Sequence, residues 1–110
     1  MQNVEKFKLK LQEIRQDLQQ ITNQLVSMAS MENRTDFTIN KLLSEYYEVG
    51  NKQLHTFDEW NEQNFQIKKG EHALRFWGKP ITNKEGKTYC PVQFLFSEDQ
   101  VMLKAVAATA

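Results

Sequence analysis

The sequence predicts an α+β domain, and three observations carry the prediction. A heptad stripe runs through the first quarter, a capping box stands at Thr56, and period-two alternation follows from Leu74 to Phe96. At 110 residues the chain is long enough to bury one modest core without staples. The reading divides it into a heptad helix over 1–30 and an α+β body over 31–110.

Val4, Phe7, Leu11, Ile14, Leu18, Ile21, Leu25 and Met28 recur at alternating steps of three and four, an a/d seam on a long helix. Such a stripe either packs on its own domain or pairs with a second copy in a coiled coil. The flanking charges Lys8, Lys10, Arg15 and Asp17 form no clear pairing code, so both readings stay open. Polar residues interrupt the pattern from Ser27 to Asp36. Thr35 or Asp36 is then expected to cap a second helix with apolar positions Ile39, Leu42, Leu43, Tyr46 and Tyr47, closed at Gly50.

Thr56-Phe57-Asp58-Glu59 is a capping box, in which the Thr56 hydroxyl and the Glu59 carboxylate each satisfy a backbone donor. It starts a short helix with Phe57 and Trp60 expected in the core. Lys68-Lys69-Gly70 reads as a turn that needs a positive φ at glycine. Beyond it, Leu74 and Phe76 share one strand face and Arg75 and Trp77 the other. The partner strand is Tyr89 to Phe96, with Cys90, Val92, Phe94 and Phe96 on one face and Tyr89, Pro91, Gln93 and Leu95 on the other. The intervening PITNKEGKT is a basic hairpin tip. Ser97-Glu98-Asp99-Gln100 resembles a second capping box, predicting a short terminal helix.

Composition narrows the chemistry. Cys90 is alone, and His55 and His72 have no metal-ligand spacing, so neither a disulfide nor a metal site is expected. No nucleophile motif, HExxH, CxxC or phosphate loop is present, and neither catalysis nor a cofactor is expected. The N-terminal residues contain no long apolar run, so the expectation is a soluble, cytoplasmic protein without a membrane partner.

Fourteen basic and fourteen acidic residues cancel, yet their distribution is uneven. Residues 63–90 hold Lys68, Lys69, Arg75, Lys79, Lys84 and Lys87 against Glu71 and Glu85, six minus two, or +4. Cations that track a phosphate backbone, interleaved with flat aromatic surfaces, are what single-stranded nucleic acid requires. The candidate site is therefore Lys68, Lys69, Arg75, Trp77, Lys79 and Tyr89, with Arg75 and Trp77 expected to share their face with Tyr89 and Gln93. A helix covering that face would make Trp77 and Tyr89 core residues instead.

Thr56-Phe57, Trp60, Ile67-Lys68-Lys69-Gly70-Glu71, Phe76-Trp77-Gly78 and Phe94-Leu95-Phe96 through Gln100 resemble a family pattern. It is that of the N-terminal, single-stranded-DNA-binding domain of ArdC-type antirestriction proteins of plasmids and conjugative elements. The resemblance covers roughly Leu42 to Val101. It does not extend to that pattern's glycine ahead of the basic turn, its early asparagine-rich loop or its metallopeptidase-like C-terminal part. It implies a non-enzymatic module that binds single-stranded DNA without sequence preference. The competing expectation is a protein-interaction module that self-associates through its first helix.

Overall fold

A computed structural model describes residues 2–104, with side chains described from Leu9 onward. The side chains of Val4 and Phe7 of the heptad stripe, and the chain beyond Lys104, therefore lie outside what is described. The elements are α1 (Gln2–Met31), α2 (Ile39–Tyr46), β1 (Leu54–His55), α3 (Phe57–Glu62), β2 (Phe65–Ile67), β3 (Leu74–Trp77), β4 (Ile81–Thr82), β5 (Thr88–Tyr89), β6 (Val92–Ser97) and β7 (Val101–Leu103). This is the α+β class the sequence predicts. The chain forms two compact units, one ending at Tyr46 and the other beginning at Tyr47.

The first unit is α1 and α2. Leu18, Thr22 and Ala29 are buried on α1, while Ile14, Ile21 and Leu25 are half-buried. Leu11 and Met28, both on the heptad seam, are 37% and 57% exposed. The buried line departs from the seam because a straight helix drifts about 20° per heptad, carrying the a/d stripe around the cylinder. α1 closes on Asn33 at φ 60°, with the Arg34 N–H donating to Ala29 O at 2.9 Å, the left-handed end that asparagine tolerates.

Arg34 then forks onto Glu45 with two bonds of 3.0 and 3.1 Å, tying the connecting loop to α2. That pairing raises the Arg34 pKa and lowers that of Glu45. The cap of α2 is Thr38, whose Oγ1 accepts from the Lys41 N–H at 3.1 Å, rather than Thr35 or Asp36. Starting there places Leu42 and Leu43 on the buried side. After α2 the left-handed residue is Glu48 (φ 60°), not Gly50.

The second unit is built on a three-stranded antiparallel sheet in the order β1-β6-β3. Phe76, on the edge strand β3, is buried, its ring 5.4 Å from that of Tyr47. The Tyr47 hydroxyl donates to Arg75 O at 3.0 Å and accepts from Arg75 N–H at 3.3 Å, which blocks those groups from pairing with another strand. Trp60 is 3% exposed; its indole N–H donates to Phe96 O at 2.8 Å, and its ring meets His55 and Phe65 edge-on. Burying Phe76 or Trp60 contributes about 2 kcal/mol each. Phe57 corrects the expectation. It is 57% exposed, because the six-residue α3 buries Trp60 alone.

Within the described residues the expected terminal helix is a single tight turn followed by a strand, and the alanine-rich end lies outside them. Glu98–Gln100 makes one tight turn, after which β7 pairs antiparallel with β2, Val101 opposite Ile67 and Leu103 opposite Phe65. A three-residue apolar run satisfies either period, and here the available edge of β2 decides. A Lys52–Asp99 ion pair and a Glu98 carboxylate that accepts from Gln53 N–H pin this turn.

The capping box at Thr56 forms as the sequence requires, with Glu59 N–H donating to Thr56 Oγ1 at 3.2 Å and Thr56 N–H to Glu59 Oε1 at 2.8 Å. The backbone bond from Thr56 holds the Glu59 pKa below its ordinary value. A carboxylate with a depressed folded pKa contributes stability above its unfolded pKa and loses it as pH falls through the folded one. Thr56→Ala is expected to lower stability by about 1 kcal/mol in urea titration. Glu59→Gln should be destabilised relative to the unmodified chain at neutral pH, with the gap closing below the carboxylate range.

Candidate nucleic-acid interface

The basic turn is formed as expected. Gly70 has φ +89° and the Glu71 N–H donates to Lys68 O at 3.2 Å, the closure of a turn whose third position favours glycine. Gln100 holds it. The Lys68 N–H donates to Gln100 O at 2.8 Å, and the buried Gln100 amide donates to His72 O at 2.7 Å and Glu71 Oε1 at 3.2 Å. Its Oε1 in turn accepts from Ser97 N–H at 2.8 Å. Gln100 thus joins the end of β6 to both sides of the turn, its main-chain carbonyl to Lys68 and its side chain to Glu71 and His72, leaving Lys68 and Lys69 exposed.

The strand face behind the turn differs from the expectation. The β3–β6 register sets Leu74 opposite Leu95, Arg75 opposite Phe94, Phe76 opposite Gln93 and Trp77 opposite Val92. Directly opposed residues in an antiparallel pair share a face. Arg75 and Trp77 therefore stand with Val92, Phe94 and Phe96, and Gln93 with the buried Phe76. Tyr89 belongs to a separate ribbon, opposite Ile81. Between the pair Gly78·Pro91, joined by a 2.7 Å bond, and the pair Ile81·Tyr89, two residues, Lys79 and Pro80, face one, Cys90. That extra residue is a bulge, and it breaks the alternation on which the expected grouping rested.

The resulting face is aromatic and partly open. Phe94 is 37% exposed, and Arg75, Trp77, Val92 and Phe96 are half-buried. Tyr89 is 43% exposed on its ribbon. The lysine turn precedes β3 and Lys79 follows it, so cations flank both ends of a strand about 10 Å long. Among the described residues none of Lys68, Lys69, Arg75, Lys79, Lys84 and Lys87 forms an ion pair, in contrast to Arg34 and Lys52. Sequence reasoning missed Phe94 and Phe96 by placing them on the face opposite Arg75 and Trp77.

Other chemistry is sparse. His55, expected as a residue ahead of the helix, lies in β1 with Nδ1 3.6 Å from Glu59 Oε1. His72 is exposed and Cys90 half-buried. Among the described residues no group of three or more His, Cys, Asp or Glu side chains gathers as a metal ion would require. Among them, too, no helix is long and apolar enough to cross a membrane. In the first unit, a groove of about 320 Å³ lies beside the Arg34–Glu45 pair, between Leu25, Met28 and Ala29 of α1 and Leu42 and Tyr46 of α2. Comparison with protein families, with curated proteins and with solved structures finds no match to this chain.

Proposed function

We propose that this chain is a non-enzymatic module that binds single-stranded DNA without sequence preference. The observation that carries the reading is the β3–β6 face, where Arg75, Trp77 and Phe94 stand together between two sets of lysines that form no ion pair among the described residues. Phosphates would lie along Lys68, Lys69, Arg75 and Lys79, and bases would stack on Phe94 and Trp77. Tyr89 extends the aromatic surface from its ribbon. The charge supplies a salt-dependent contribution, and each stacked base about 1–3 kcal/mol. Near-zero net charge is compatible with this because the cations are local. The resemblance of Leu42 to Val101 to ArdC-type N-terminal domains favours DNA over RNA and a setting in a mobile or conjugative element.

Tryptophan fluorescence titrated with a short oligothymidine at low and high salt tests the reading. Quenching at low salt that weakens with added salt is expected. Phe94→Ala should weaken binding roughly tenfold, the loss of one stacked base, whereas Gln93→Ala, on the other face of the same strand, should bind normally. No change in fluorescence at low salt, with Lys68→Glu/Lys69→Glu behaving identically, contradicts it.

A second reading, self-association through α1, is favoured by the exposure of Leu11 and Met28 on the heptad seam. Of the seam Val4, Phe7, Leu11, Ile14, Leu18, Ile21 and Leu25, Leu18 is fully buried within its own unit, so the contact would use the exposed positions around Leu11, and pairing would place two DNA-binding faces on one strand. Sedimentation of the full chain should then show a dimer that Leu11→Lys/Met28→Lys dissociates. A monomer at all concentrations removes this reading.

A further inference from the structure

The part of the second unit least explained by stability is the β4–β5 ribbon. Every residue from Lys79 to Tyr89 is exposed, so the segment adds nothing to the core. A two-residue ladder, Ile81 opposite Tyr89 and Thr82 opposite Thr88, is marginal on its own in water. Yet the tip is heavily tied. Asn83 Oδ1 accepts from both Glu85 N–H (2.9 Å) and Lys87 N–H (3.0 Å). Asn83 N–H donates to Lys87 O at 2.9 Å, Gly86 N–H donates to Asn83 O at 3.0 Å, and the Thr82 and Thr88 hydroxyls bond across the ladder at 2.9 Å. These bonds hold the tip in one shape and carry no apolar burial.

What the tip presents is charge. Lys79, Lys84 and Lys87 against Glu85 give three minus one, or +2, over eleven residues, and among the described residues none of these lysines is paired with a carboxylate. The ribbon leaves β3 beyond Trp77 and returns into β6 ahead of Val92, the two strands that carry the aromatic face. Its paired residues Ile81 and Tyr89, 47% and 43% exposed, share one side, and Thr82 and Thr88 the other.

We propose that the ribbon is a second nucleic-acid contact, an arm whose Lys84 and Lys87 hold the phosphate backbone of a single strand lying on the β3–β6 face. This rests on the single-strand reading and extends it to residues outside the face. Asn83 is the positioning residue, because its carboxamide fixes the backbone on either side of Gly86 and so sets where both ammonium groups stand. Glu85 is the opposing charge, and its removal should strengthen the contact.

The test measures oligothymidine affinity against salt concentration for the full chain and three variants. Lys84→Gln/Lys87→Gln should weaken binding severalfold at low salt and reduce the slope of log affinity against log salt by about 1.4, two phosphates' worth on a single strand. Asn83→Ala, which keeps every charge, should weaken binding less, and Glu85→Gln should tighten it. Binding by the unmodified chain with affinity and slope unchanged in the lysine variant overturns the ribbon proposal while leaving the sheet face in place. Absence of binding by the unmodified chain overturns both.

Discussion

The register between β3 and β6 is the constraint on which the second unit depends. The pairs Leu74·Leu95 through Trp77·Val92 decide that Phe76 is buried beneath Tyr47 while Trp77 stands beside Val92 and Phe94. A slip of one residue would exchange the two faces, bringing Trp77 into the core and Phe76 to the surface. Three contacts outside the ladder oppose such a slip. The Tyr47 hydroxyl holds both backbone groups of Arg75, the Trp60 indole holds Phe96 O, and Gly78 N–H bonds Pro91 O at the far end. Two aromatic side chains with polar tips thus lock the sheet from either flank, each combining apolar burial with a hydrogen bond.

The basic turn depends on the same strand through Gln100. An amide has both donors and an acceptor, so one buried side chain can bond Ser97 N–H at the end of β6 and His72 O just ahead of β3. The lysines are consequently presented from an anchored turn, with little of the ordering penalty that a floppy loop would meet on binding. The contrast with Arg34 and Lys52 is informative. Those cations are neutralised by carboxylates that tie loops together, whereas Lys68, Lys69 and Lys79, on either side of β3, are exposed and form no ion pair among the described residues.

What was legible in the sequence was local chemistry. The Thr56–Glu59 box, the positive φ of Gly70 and the length of α1 each follow from neighbouring residues, and each is present. What depends on distant partners was not legible. Val101 to Leu103 reads equally as helix or strand until β2 supplies an edge, and β1 and β2 are too short to show a period. The face shared by Arg75 and Trp77 turned on a single residue, the extra one at Lys79-Pro80 opposite Cys90, which alternation counted along Tyr89 to Phe96 cannot reveal. Alternation alone sets Phe94 on the face away from Arg75 and Trp77, although its exposure makes it the most accessible aromatic of the face they share.

The most direct measurement is NMR observation of side-chain signals across the sheet during titration with oligothymidine. Binding on the aromatic face predicts shifts at Arg75, Trp77, Val92 and Phe94, with Leu74, Gln93 and Leu95 of the same two strands little changed. Shifts confined to Leu74, Gln93 and Leu95, or to α1, would contradict it.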